Sequence, residues 1–150
     1  MPGTGGNTMT QTDLASGYAA AAVERISSVD APRRRVLVVD DEEGVRGVVA
    51  RVLEKAGYDV VEAEDGQGAL ALLDVQGGFS AAVVDLTMPG LRGDAVVHAM
   101  RQHAPGMRVI LMSGYREEEA IPEGEPRPDA FLRKPFLPDD LRRVMRAVLA

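Results

Sequence analysis

From residue 35 onward, short apolar runs alternate with amphipathic stretches, and few folds accept that rhythm. Val36–Val39, Tyr58–Ala63, Phe79–Val84, Met107–Met112 and Ala130–Leu132 read as strands. Between and after them, four segments carry apolar residues at helical spacing. Glu42–Ala56 has Val45, Val48, Val49, Val52 and Leu53 on one face, and Gly66–Gln76 has Ala69, Leu70, Leu72 and Leu73. Gly93–His103 has Val96, Val97 and Met100, and Asp139–Leu149 has Leu141, Val144, Met145 and Val148. Gly57 stops the first helix as a C-terminal cap, Pro105-Gly106 ends the third, and Pro138-Asp139 starts the last. Strands and helices alternating in this way predict an α/β fold, a parallel sheet wrapped by helices on both faces with right-handed crossovers. In such sheets ligands gather beyond the carboxyl ends of the strands.

Acids stand at those ends. Asp85 closes the run Ala81-Ala82-Val83-Val84 and is followed by Leu86-Thr87-Met88-Pro89-Gly90; Val36–Val39 runs into Asp40-Asp41. Taken alone, Asp40 and Asp41 read equally well as caps of the following helix. With Asp85 beside them the arrangement is a carboxylate cluster. At separations near 5 Å and an effective dielectric near 20, each like-charged pair costs about 3 kcal/mol, so either protons or a cation must bind. An all-oxygen site with few protein ligands suits Mg²⁺, which keeps several waters. Asp41 and Asp85 are the expected direct ligands, Asp40 acts through water, and the backbone carbonyl of Thr87 completes the set. Ser113 follows Val109-Ile110-Leu111-Met112, and Lys134 follows Phe131-Leu132-Arg133, so both reach the same rim. A phosphoryl group moving to a carboxylate needs positioning and positive charge, and Mg²⁺, the Lys134 ammonium and the Ser113 hydroxyl supply one contact each. The Lys134–Pro135 peptide is a candidate cis bond.

Composition narrows the alternatives. A net charge of -6 argues against a nucleic-acid or membrane-surface binder. The absence of cysteine excludes disulfides, thiolate nucleophiles and zinc-thiolate sites. No apolar run reaches membrane-spanning length and the N-terminus, lacking a basic region followed by an apolar core, does not read as a secretory signal, so a cytoplasmic location is expected. Residues 1–34 read as a flexible leader. Within it Asp13–Ser27 is Ala-rich, with Leu14, Tyr18, Ala22 and Ile26 on one face of a short helix. Residues 35–150 form the folded domain.

Four stretches together, Val38-Val39-Asp40-Asp41-Glu42, Asp85-Leu86-Thr87-Met88-Pro89-Gly90, Met112-Ser113-Gly114-Tyr115 and Phe131-Leu132-Arg133-Lys134-Pro135-Phe136, resemble the receiver domain of two-component response regulators. The resemblance covers residues 35–149. It implies a doubly wound, flavodoxin-like five-stranded parallel sheet of order 2-1-3-4-5 with five helices. It implies Mg²⁺-dependent phosphorylation of Asp85 by a phosphohistidine on a histidine kinase or a histidine phosphotransfer protein. Asp40 and Asp41 match the acidic pair, Ser113 the hydroxyl switch residue, Lys134 the lysine of the site and Phe131 the aromatic switch position. In that scheme Ser113 swings toward the phosphoryl group and Phe131 turns inward behind it, changing a protein-interaction surface. The protein would be a stand-alone receiver or one derived from a hybrid sensor kinase, with no DNA-binding output domain after Ala150; the leader beginning at Met1 favours a free protein.

The chain departs from the family pattern between Ser113 and Ala130. Pro122, Pro126, Pro128 and Gly124 limit any fourth helix to about two turns, followed by an extended acidic loop. The resemblance places Tyr115 and Thr87 beside the path of a hydrolytic water, where Tyr115 would shield an acyl phosphate. His98 and His103 are expected to face solvent, and Arg92, Arg101 and Arg108 form no patch. Two other readings compete. A Mg²⁺ phosphohydrolase with an aspartyl nucleophile commonly carries an acid two residues after it, where this chain has Thr87. An unphosphorylated interaction domain of the same fold would not need the full set of site residues.

Overall fold

The structure, a computed structural model, describes residues 33–87, 92–121 and 126–150. The helix expected over Asp13–Ser27, and nearly all of the expected leader, lie outside the described residues, as does Met88-Pro89-Gly90.

Strands and helices alternate as β1 (Arg35–Val39), α1 (Glu43–Lys55), β2 (Asp59–Ala63), α2 (Gly66–Val75), β3 (Phe79–Asp85), α3 (Gly93–His103), β4 (Arg108–Ser113), α4 (Glu117–Ala120), β5 (Ala130–Arg133) and α5 (Pro138–Val148). The five strands form one parallel sheet of order β2-β1-β3-β4-β5.

The strands are apolar on successive residues because both faces of the sheet are covered. Leu37, Val39, Ala82, Val84, Val109 and Leu111 pack with Ala69, Leu73, Val96, Val97 and Met100 of α2 and α3. The alternate residues Val36, Val38, Ala81, Val83, Ile110 and Met112 pack with Val49 and Leu53 of α1 and Leu141 and Met145 of α5. A one-residue slip in any central strand would therefore exchange two apolar sets rather than expose one. Register is held instead by strand ends, where Asp40, Asp85 and Ser113 are buried and polar.

Local signals set the helix ends. Gly57 has φ 102°, the left-handed conformation that a C-terminal cap favours. The Asp65 side chain accepts the N–H of Gly68 at the start of α2. At the start of α5, Asp140 accepts the Leu137 N–H at 2.9 Å.

One expectation needs correction. Val48 is not part of the buried face of α1; it is 51% exposed. The buried stripe is centred on Val49, Ala50 and Leu53, which turns Val48 to the flank. His98 and His103 face solvent, as expected, and His103 Nδ1 lies 2.7 Å from Asp74 Oδ1, joining α3 to α2. The fourth helix is short, as expected, and amounts to a single turn whose next residue, Ile121, is fully buried in the core. None of the described helices is long and apolar enough to cross a membrane.

Candidate functional site

Parallel register carries the polar strand ends to one edge. Val39 stands beside Val84, so Asp40 and Asp85 are the next residues on adjacent strands. Asp40 remains in line because its N–H donates to the Ala63 carbonyl at 3.1 Å. Asp85 lies opposite Met112, and Ser113 opposite Arg133. Lys134 is then fixed by its own N–H, which donates to the Ser113 carbonyl at 2.7 Å. The Lys134–Pro135 peptide is cis.

The carboxylates of Asp40, Asp41 and Asp85 each bring an oxygen within 4.8 Å of the others. The Lys134 ammonium lies 2.9 Å from Asp85 Oδ1 and 3.8 Å from Asp40 Oδ2. Asp85 is fully buried, and both its oxygens are engaged. Oδ1 accepts from Lys134 and from the Thr87 N–H at 3.2 Å, and Oδ2 accepts from the Thr87 hydroxyl.

Asp40 is also fully buried, but only Oδ1 has a donor, the Glu42 N–H at 2.9 Å. Oδ2 has no hydrogen-bond partner among the described residues. Burial pushes the Asp40 carboxyl above its ordinary value of 3.8, and the charges of Asp85 and Asp41 push the same way. The Glu42 N–H and the Lys134 ammonium oppose them. A buried carboxylate with one oxygen lacking a hydrogen bond, clustered with two further carboxylates, is what a hard cation relieves. The donor set is all oxygen, and a single ammonium offsets only part of the charge. The residues therefore fit a divalent cation of the Mg²⁺ type.

Ser113, 1% exposed, closes the site from β4, and its Oγ accepts the Tyr115 N–H at 3.0 Å. The Tyr115 side chain itself is 65% exposed. Phe131, on β5 beside Leu111, is half-buried and packs against the core cluster that holds Ile121. Thr87, expected to contribute through its carbonyl, engages Asp85 through both N–H and hydroxyl.

The acids, the lysine and the serine singled out in the sequence thus converge, while Phe131 stands on the core side of the sheet. Sequence reasoning passed over Arg46. Its guanidinium, from the second turn of α1, donates to the Asp40 carbonyl at 2.9 Å and to Glu62 Oε1 at 2.9 Å. It also passed over Asp129, which accepts from Arg101, Arg108 and the Val109 N–H and so ties the loop before β5 to α3 and β4.

The pattern of the response regulator receiver domain matches residues 36–146. Sensor kinase CckA of Brucella abortus is 36% identical over 118 residues, 76% of this chain and 12% of that protein. The chain spans about half the length, 48%, of other curated relatives that it matches. Among solved structures, the chemotaxis response regulator CheY4 of Vibrio cholerae is similar with a TM-score of 0.70 at 30% identity, over 79% of this chain and 100% of that one. The response regulator TrrA of Thermotoga maritima, solved in complex with Mg²⁺ and beryllofluoride, is similar with a TM-score of 0.67 at 28% identity, over 77% of this chain and 99% of that one.

Proposed function

This chain belongs to the response regulator receiver domain family, and from that premise we propose that it is a phosphoacceptor that takes a phosphoryl group from a phosphohistidine onto Asp85. The observation that carries the reading is the juxtaposition at the rim: three carboxylates with oxygens within 4.8 Å of one another and an ammonium 2.9 Å from Asp85.

In this reading Asp40, Asp41 and Asp85, with the Thr87 carbonyl, would hold Mg²⁺, whose charge would offset carboxylate repulsion and polarise a phosphoryl oxygen. A carboxylate oxygen of Asp85 forms the new P–O bond as the P–N bond to the donor imidazole breaks, and the imidazole leaves with the bonding pair. Lys134 already faces Asp85 Oδ1 and exchanges that contact for a phosphoryl oxygen. Ser113 gives up its role as acceptor of the Tyr115 N–H and donates its hydroxyl to another. Thr87 must release Asp85 Oδ2 for that oxygen to react, so its hydroxyl is a gate on the acceptor.

The donor is a histidine kinase or a histidine phosphotransfer protein, and the protein acts as a signalling relay rather than as an enzyme turning over a small substrate. The likeness to a sensor kinase supports a hybrid-kinase origin, and the likeness to CheY4 supports a free receiver. The output is a switch in which the movement of Ser113 draws Phe131 inward and alters the α4–β5–α5 surface. The leader, residues 1–34, takes no part in phosphoryl chemistry in this proposal.

Beryllofluoride, a phosphoryl mimic, tests the reading without a partner. Adding it to ¹⁵N-labelled protein already saturated with Mg²⁺ is expected to shift the amides of Thr87, Ser113 and Lys134 further and saturably, and not to do so without Mg²⁺. The Asp85→Asn variant is expected to show none of these shifts. Unchanged wild-type spectra would reject the proposal.

A further inference from the structure

We propose that Arg46 and Glu62 form a positioning pair that sets the acidic loop for a divalent cation, an inference that rests on the reading of Asp40, Asp41 and Asp85 as a cation site.

Arg46 lies on α1, yet its side chain is only 16% exposed. Withdrawing a guanidinium from water is costly unless its donors are used. Two are used here, and they point to different elements. Nη1 donates to the Asp40 carbonyl, and Nε donates to Glu62, which stands on β2 opposite Val38. The planar fork reaches both at once, which a single ammonium does not do.

The effect is clearest at Asp40. Its N–H is held by the Ala63 carbonyl, its carbonyl by Arg46, and its Oδ1 by the Glu42 N–H. Among the described residues its Oδ2 finds no hydrogen bond, with the Lys134 ammonium 3.8 Å away, and the carboxylate belongs to the acidic cluster. Carboxylate repulsion favours a loop that splays Asp40 and Asp41 away from Asp85. A tether on the backbone carbonyl resists that movement while leaving Oδ2 free. Its hydrogen bond goes to the Asp40 backbone carbonyl rather than to the carboxylate, so Arg46 works through the backbone. Glu62 is 42% exposed, so its ion pair with Arg46 adds little to stability. Its consequence is aim, and aim is read in cation affinity.

The test is Mg²⁺ binding to the full chain by titration calorimetry, with thermal melts of the metal-free proteins alongside. Substitutions that disturb groups supporting metal ligands typically weaken metal binding by about 10- to 100-fold. Arg46→Ala is expected to fall in that range, Arg46→Lys to recover part of the loss, and Glu62→Gln to lose less because an amide oxygen still accepts. Arg51→Ala, on the exposed flank of the same helix, is the control and is expected to bind as wild type. In the metal-free state the Asp41 and Glu42 amide resonances are expected to move in Arg46→Ala and to stay in Arg51→Ala. Should Arg46→Ala not fold, Arg46→Lys and Glu62→Gln decide the matter by the same affinities. A lowered melting temperature with wild-type Mg²⁺ affinity in the folded variants would reduce Arg46 to a tie between helix and strand, and would overturn the inference alone. Failure of the wild-type protein to bind Mg²⁺ would overturn the cation-site reading and this inference together.

Discussion

Asp40 concentrates the electrostatic problem of the site in one side chain. It is fully buried, it has a free oxygen, and two carboxylates crowd it. Because burial raises its folded pKa, the folded protein holds a proton there at pH values where the unfolded chain has released it. Stability of the metal-free protein must then fall as pH rises from the ordinary carboxylate range through the raised pKa, and level off above it. Asp40→Asn removes the charge. In EDTA it is expected to melt several degrees above wild type at neutral pH, and the gap should close as pH drops below about 4. The same variant is expected to lose the stabilisation that millimolar Mg²⁺ gives to wild type. Equal melting temperatures at neutral pH would show that the Asp40 charge is already relieved within the fold. The opposite sign holds at Asp140, whose carboxyl is lowered by the Leu137 N–H and then by Arg143. Its contribution is present above its ordinary 3.8 and is lost as pH falls through the lowered value. Asp140→Asn is therefore expected to lower the melting temperature at neutral pH and to match wild type in strong acid.

The acids were legible as residues because each ends an apolar run, and Ser113 and Lys134 because they follow one. Arg46 was not. A periodicity argument reads apolar positions, and nothing in the sequence says which backbone carbonyl a flanking arginine reaches. Asp129 was hidden for the same reason, since Arg101 and Arg108 are seven residues apart on different elements and meet only in three dimensions.

At the level of elements, α4 is a single turn, Glu117–Ala120. Its prolines announced it, but they did not announce what replaces the missing turns. Ile121, directly after the single turn, plugs the core instead. It sits so close to the start of α3 that a Cβ at Gly93 would lie 2.9 Å from Ile121 Cγ1, 3.0 Å from the Ala120 carbonyl oxygen and 3.2 Å from Leu86 Cδ1. One of those neighbours is backbone and another is a fully buried side chain, so neither gives way cheaply. Gly93→Ala is thus expected to destabilise by about 1–2 kcal/mol even though alanine is the better helix former. Denaturant unfolding measures it, and in an Ile121→Ala background, where Cγ1 is gone, Gly93→Ala should cost less. A neutral or stabilising Gly93→Ala would mean that α4 stands off from α3. The helix boundaries themselves were read to within a residue or two, because Gly57, Pro105 and Pro138 punctuate them. The misplacement of Val48 arose where a wide apolar stripe left its centre undetermined.

Over the whole molecule, the parallel, helix-covered character of the sheet follows from physics that sequence carries well. Strands apolar on both faces must be central or covered, and connections through helices must be parallel. The order itself came from resemblance to a family rather than from the spacing of runs. The two-faced core predicts that truncation is costly on either side of the sheet: Leu37→Ala and Ile110→Ala, both fully buried, should each cost about 2–5 kcal/mol in denaturant unfolding. The central claim is chemical, and intact-mass spectrometry tests it most directly. The protein is incubated with Mg²⁺ and a phosphodonor, acetyl phosphate or a phosphorylated histidine kinase, beside Asp85→Asn and an EDTA control. The account predicts a gain of one phosphoryl group on the wild-type chain alone and none in either control; an equal gain on Asp85→Asn, or no gain from any donor, would contradict it.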